Sequence, residues 1–146
     1  MRAPFQILAI PYKRDEEILY GLFHRADMDQ WQFIAGGGED DETPKEAATR
    51  EIYEEAGIKT TDVIELVSMA YVPANVISEK HRQYWPKDTY VLPEYHFAFE
   101  CHTGIQISKE HSEYIWLNYE NAMKKLTWDS NRTALYELNC RLLEKG

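Results

Sequence analysis

The stretch GGGEDDETPKEAATREIYEEAGI, residues 36–58, decides how the rest of the chain is read. It opens as a glycine-rich acidic loop over residues 36–42. Thr43 then stands as a helix N-cap, Pro44 fills the first helical position, and Glu46 completes a T-x-x-E capping box. The helix runs to about Ala56, and Gly57 is a natural left-handed stop. Inside it, Glu51, Glu54 and Glu55 are spaced i, i+3, i+4 and share one arc of the helix surface. Ala48, Ile52 and Ala56 hold the adjoining arc, which should face a core. Three carboxylates therefore line the boundary between the helix and the body of the protein. Like charges at i, i+4 destabilise an isolated helix, so something should offset them. Arg50 can pair with one carboxylate and hold its rotamer. Hard divalent cations, Mg2+ or Mn2+, suit the carboxylate oxygens better than zinc does. The plain alternative is a solvated acidic face.

Outward from this segment the chain reads as strands and helices. Residues 5–12 and 18–25 are two strands joined by a polar turn at 13–17. Residues 31–34 make a short third strand. Residues 62–72 and 88–100, rich in Val, Ile, Tyr and Phe, are further strands. Between those two lies a long polar segment, 73–87, with Arg82, Tyr84 and Trp85. Loops of that length inside a domain are often functional, so ligand preference is expected there. Residues 113–118 form a late strand and 120–126 a short helix. Ser130 is expected to cap a C-terminal helix whose Leu135, Leu138 and Leu142 make one apolar core-facing stripe. The sum is α+β, an αβα sandwich with a mixed central sheet.

A chain of 146 residues suits one domain, here taken as 1–146. Its 44% hydrophobic and 28% charged residues are ordinary for a soluble globular protein. No apolar run approaches the length of a membrane span, and the N-terminus lacks a secretory cleavage site. The net charge of −9 argues against nucleic-acid polymers, whose binding depends on Lys and Arg. Cys101 and Cys140 match no zinc spacing and read as reduced thiols of a cytoplasmic protein. His81, His96, His102 and His111 show no ligand spacing.

The segment also resembles a known family. The pattern G-x5-E-x7-R-E-U-x-E-E-x-G-U, with U a bulky aliphatic residue, is the Nudix box. Gly36, Glu42, Arg50, Glu51, Ile52, Glu54, Glu55, Gly57 and Ile58 fill every fixed position. The resemblance implies a Nudix-type αβα sandwich with the box as loop–helix–loop. It implies Mg2+- or Mn2+-dependent hydrolysis of a diphosphate linkage in a small phosphorylated substrate. It assigns Glu51 and Glu55 as principal metal ligands, with Glu54 and the Gly36 carbonyl contributing. Arg50 would orient a glutamate, Glu42 would tie the loop to the helix, and Gly57 would be structural. The flexible glycines 36–38, Gly37 among them, should let phosphates approach the backbone and admit unusual dihedrals. Where the family often has glycine before Glu42, this chain has Asp41. Asp40 and Asp41 either hold an extra cation or face solvent.

A looser likeness extends over most of the chain, through HRADMDQWQFIAGG, SKEHSEYIWL (108–117) and LTWDSNRTAL (126–135). It resembles the Nudix subgroup of dihydroneopterin triphosphate pyrophosphatases, also described as dATP pyrophosphohydrolases. Such enzymes release pyrophosphate and leave a monophosphate. By that likeness Glu110 is a further metal ligand or base, with Glu113 the alternative. Arg25, Trp31, Asn131 and Arg132 match residues near the substrate. Each has a plainer reading: a surface ion pair for Arg25, core filling for Trp31, helix capping and pairing for Asn131 and Arg132. The sharper idea for Trp31 is stacking on a base or pterin. Nucleotide sugars and ADP-ribose are the alternative substrates. A non-catalytic ligand sensor is disfavoured because no helix carboxylate is missing. No membrane partner is expected, and the state is monomer or homodimer.

Overall fold

The computed structural model describes residues 1–107 and 113–144. Its hub is β1 (Arg2–Arg14), whose sequence FQILAIPY has no polar-out alternation. The reason is that both faces of β1 are covered. Ile7 and Ala9 enter one core cluster with Ala48, Ile52 and Ala56. Leu8, Ile10 and Tyr12 enter a second cluster on the opposite face, with Leu135, Leu138 and Leu142. Period-two side chains thus feed two layers, as they do in strands buried on both sides.

β1 is also shared between partners. Its first part pairs antiparallel with β4 (Ile34–Glu39), ending at Ala9 opposite Ile34. Its last part pairs antiparallel with β2 (Ile18–Arg25), beginning at Tyr12 opposite Tyr20. Pro11, which has no N–H to give a ladder, falls at the changeover. Along its other edge β1 pairs in parallel with β6 (Val91–Glu100), from Gln6 opposite Glu94 to Tyr12 opposite Glu100. β3 (Gln30–Gln32) and β7 (Glu113–Leu117) pair with β2, and β5 (Ile64–Pro73) pairs with β6. The described strands therefore run β3-β2-β1-β6-β5, with β4 on β1 and β7 on β2. This is the mixed sheet with flanking helices expected of the α+β sandwich.

Helix α1 (Pro44–Ala56) covers one face. Helices α3 (Tyr119–Lys125) and α4 (Asp129–Glu144) cover the other. Between β5 and β6 lie a 3-10 turn at Ala74–Val76 and a single helical turn, α2 (Glu79–Arg82). No helix among the described residues is long and apolar enough to cross a membrane.

Three local expectations change. The acidic loop is shorter than the composition suggests, because Gly36–Gly38 continue β4 and pair with β1. The C-terminal helix begins at Asp129, so Ser130 lies inside its first turn rather than capping it. The 73–87 segment is not bare loop: Trp85, Ala74 and Leu92 form a small cluster that pins it. Replacing Ile52, fully buried between α1 and the sheet, by alanine should cost about 2–5 kcal/mol. Urea unfolding of the variant against the parent measures it.

Candidate active site

Local rules set the helix that carries the acidic residues. The Thr43 side chain accepts from the Glu46 N–H at 3.1 Å, and the Glu46 carboxylate accepts from the Thr43 N–H at 2.8 Å. Gly57, at φ 70°, closes the other end and donates to the Tyr53 carbonyl. The rotation fixed by those caps buries Glu51 and Glu55 at the edge of the apolar face, while Glu54 is half exposed.

β4 supplies the opposing wall. A Cβ at Gly36 would overlap the Glu51 carboxyl group. One at Gly37 would overlap the Arg2 guanidinium, and one at Gly38 the Phe5 ring. None of the three glycines has a positive φ. Their expected unusual dihedrals are therefore absent, and their role in the structure is to make room. The Glu51 carboxylate in particular lies flat against strand backbone.

Arg50 organises the acidic groups around this wall. Its Nε and Nη2 fork onto the two Glu42 oxygens at 2.8 and 3.0 Å. Nη1 donates to Glu51 at 3.0 Å and to Glu54 at 3.1 Å. Nη2 also donates to the Gly37 carbonyl at 2.8 Å. Glu42 in turn accepts from the Glu39 N–H at 2.8 Å, which ties the end of β4 to the helix. The fork holds Glu42 below the ordinary carboxylate range. Glu51 moves the other way, up to about 7. Burial is the main cause; Arg50 opposes it, and Glu54 and Glu55 add to it.

No three His, Cys, Asp or Glu side chains are arranged to hold a metal ion among the described residues, and Arg50 Nη1 bonds both Glu51 and Glu54. The donor set nevertheless fits a hard divalent cation. Arg50 takes one oxygen from each of those two carboxylates, and Glu51 is buried with less positive charge beside it than its ionised form needs. Glu51, Glu54, Glu55 and the Gly36 carbonyl are the oxygens that could hold such an ion.

The other expected residues lie elsewhere or are already engaged. Glu110 lies outside the described residues. Glu113 opens β7, exposed, with its Oε1 3.8 Å from His24 Nδ1. Arg25 pairs with Asp27 at 3.0 Å. Trp31 packs against the α4-side core, with Lys125 Nζ 4.6 Å from its ring centre and the His24 ring at 4.8 Å. It lines a hollow of about 500 Å³ with Ile115, Leu117 and Asn121. Asn131 is buried and accepts from the Phe33 N–H at 3.0 Å. Arg132 pairs with Asp129 and donates to the Leu126 carbonyl. No hydrogen bond or ion pair among the described residues joins these four side chains to Glu51 or Glu54. Asp40 and Asp41 are exposed.

Two features escaped the sequence reading. Arg2 reaches the wall beside Gly37, and no motif marks it. Glu94 and His96 are buried and bonded at 2.9 Å, and His96 also meets Ser68 at 3.0 Å. Their i, i+2 spacing in β6 was the available signal.

The Arg50–Glu42 fork predicts acid sensitivity. Because the pKa of Glu42 is lower in the folded state, its contribution is present at neutral pH. That contribution is lost as pH falls below the unfolded value of about 4.5 and through the folded one. The urea midpoint of wild type should fall more between pH 7 and pH 3.5 than that of Glu42→Gln, and parallel declines would contradict the assignment.

Comparison with known proteins follows the same lines. The NUDIX-domain family model matches residues 6–138. The Escherichia coli (strain K12) dihydroneopterin triphosphate diphosphatase is 29% identical over 136 residues, covering 92% of this chain and 91% of that protein. A crystal structure of a Listeria monocytogenes protein assigned to the NUDIX hydrolases superposes with a TM-score of 0.86 at 44% identity, over 98% of this chain and 97% of the other. The structure of the E. coli dihydroneopterin triphosphate pyrophosphohydrolase gives 0.74 at 27% identity, over 94% and 97%.

Proposed function

The chain belongs to the Nudix family of pyrophosphohydrolases, and from that premise we propose that it hydrolyses a nucleoside or pterin triphosphate, such as dATP or dihydroneopterin triphosphate, to a monophosphate and pyrophosphate. One Nudix domain over 1–146 does this. The observation that supports the reading most directly is the Glu51 carboxylate, buried against Gly36 and flanked by Glu54 and Glu55. Arg50 is one cation shared between Glu51 and Glu54, so a further cation would stabilise this buried cluster.

Glu51, Glu55, Glu54 and the Gly36 carbonyl would hold Mg2+ or Mn2+, with Glu110 as a further ligand or base. Such an ion would supply charge neutralisation for phosphate oxygens and would lower the pKa of an attacking water. Arg50 keeps Glu51 and Glu54 in fixed rotamers and offsets part of the negative charge on that helix face. Glu42 fixes Arg50, so it acts through position. Water attacks phosphorus, the P–O bond to the departing pyrophosphate breaks, and a carboxylate takes the proton of the water. Trp31, Arg25, Asn131 and Arg132 are proposed to border the substrate from the α4 side of the sheet, Trp31 by stacking once Lys125 moves aside.

Glu51→Gln and Glu55→Gln are near-isosteric. Each should lower kcat/KM for dATP or dihydroneopterin triphosphate by about 10²–10³-fold, as losing a group that stabilises developing charge does. Melting temperature should stay within a few degrees. Activity should vanish with EDTA and return with Mg2+. Phosphorus NMR should show pyrophosphate, and orthophosphate as sole product would move the attack to the terminal phosphorus. Full activity in Glu55→Gln would overturn the metal assignment. Turnover of ADP-ribose or a nucleotide sugar in preference to triphosphates would overturn the substrate class.

A further inference from the structure

We propose that the outer face of β5 and β6 is the contact surface of a homodimer, with the two-fold axis passing close to Met69. The inference does not depend on which phosphorylated substrate the enzyme takes.

β5 is patterned the opposite way to a strand with one wet face. From Glu65 to Pro73 its residues alternate between exposed and covered. The covered set is Leu66, Ser68, Ala70 and Val72; the exposed set is Glu65, Val67, Met69, Tyr71 and Pro73. A half-solvated strand normally turns its large apolar side chains inward and its polar ones outward. Here the covered positions include a serine, bonded to the buried His96, and an alanine. The outward positions carry valine, methionine and tyrosine instead. Val67 is 79% exposed, Tyr71 65% and Met69 44%.

β6 extends the same face. Met69 lies opposite Tyr95, Tyr71 opposite Pro93, and Pro73 opposite Val91. Residues directly opposed on antiparallel strands share a face. Val91 is exposed, and Pro93 and Tyr95 are half-buried. On this side of the sheet α1 covers Phe97 and Phe99. Tyr95 stands at the margin of that layer, its ring 5.9 Å from the Phe5 ring. Among the described residues no helix continues the cover over Val67, Met69 and Tyr71. The apolar layer of the core thus runs out from under α1 and onto the surface. A large exposed apolar patch marks an interaction surface.

The chemistry of the patch selects a second copy of this chain. Glu65 is the one charged residue at these outward strand positions, so the face offers no cation to an anionic lipid headgroup or a nucleic acid. It is also its own complement. With the two strands antiparallel about Met69, Val67 falls against Tyr71 of the second copy, and Glu65 against Pro73. The two Glu65 carboxylates then sit at opposite ends, and no like charges meet. Adding the second strand edge to edge is a different arrangement. Glu137 obstructs it, because its carboxylate already accepts from the Val67 and Ser68 N–H groups at 2.7 Å. The faces therefore pack, as stacked sheets do. Since one aromatic side chain contributes about 150–250 Å², the patch amounts to on the order of 600 Å² per copy, and a pair would bury roughly the 1,200 Å² at which specific interfaces begin.

The test is the mass in solution. Sedimentation velocity of wild type from about 1 to 200 μM, where an interface of modest size associates, should show a shift from the 17.2 kDa chain to twice that mass. Met69→Glu puts like charges on the axis, and so does Met69→Lys. Each alone should weaken association by at least about tenfold. An equimolar mixture of the two should recover the dimer, because opposite charges then meet. Val67→Lys should weaken association as well. Melting temperatures of the dilute, monomeric proteins should match, since these positions are exposed in the monomer. Wild type that stays at 17.2 kDa throughout overturns the proposal, including the case in which it binds phosphatidylcholine vesicles through this face instead. A dimer unaffected by Met69→Glu and Val67→Lys overturns it too. A mixture of Met69→Glu and Met69→Lys that remains monomeric overturns the axis at Met69. If neither Met69 variant folds, an undiminished dimer in Val67→Lys and in Tyr71→Lys overturns the face.

Discussion

The structure turns on one guanidinium. Arg50 joins the end of β4 to α1 through Glu42, and it holds Glu51 and Glu54 against a strand stripped of side chains. Remove it, and three carboxylates face one another on a helix with nothing between them. Its fork onto Glu42 is partly buried, where a charge-assisted pair is stronger than on an open surface. The glycines of β4 are the other half of the device. They matter because Glu51, Arg2 and Phe5 lie where their side chains would be. Helix and strand can come together only where neither asks for that space.

What lets this small region stay fixed is the two-sided burial of β1. A strand packed on both faces has no solvent side towards which to relax. Ile7 and Ala9 anchor the layer that carries α1, and Leu8 and Ile10 anchor the layer that carries α4. The acidic site thus sits on the rim of a well-packed core, and its electrostatic cost is borne by apolar contacts on the adjoining helix face.

The helix and its acids were legible in the sequence because their signals are local. A capping box, a proline at the first position, a terminal glycine and a three-four spacing lie within one short segment, and each acts there. The apolar stripe of Leu135, Leu138 and Leu142 was legible for the same reason. The strand character of Gly36–Gly38 was not, since three glycines carry no β signal and only pairing with β1 makes them a strand. Asn131 was noticed, but its bond to Phe33 spans most of the chain and no spacing encodes it. Arg2 was invisible because its meaning comes from Gly37 and Trp85, both distant in sequence. His96 was given no ligand role and Glu94 was not singled out, because an i, i+2 spacing marks a shared strand face without marking burial.

The divided pairing of β1 has a consequence for the order of folding. Its far end joins β2 across a short turn, whereas Gln6 must wait for Glu94. Contacts between neighbours in the chain form readily, and those that close long loops form late. Contact order therefore predicts that a hairpin of β1 and β2 forms before the parallel ladder with β6. In that order the layer under α1, which includes Phe97 and Phe99 of β6, would be completed late, and its glutamates would stay hydrated until then. The mutual repulsion of the acids would then be met mainly in the last stage of assembly, when the scaffold that tolerates it is nearly whole.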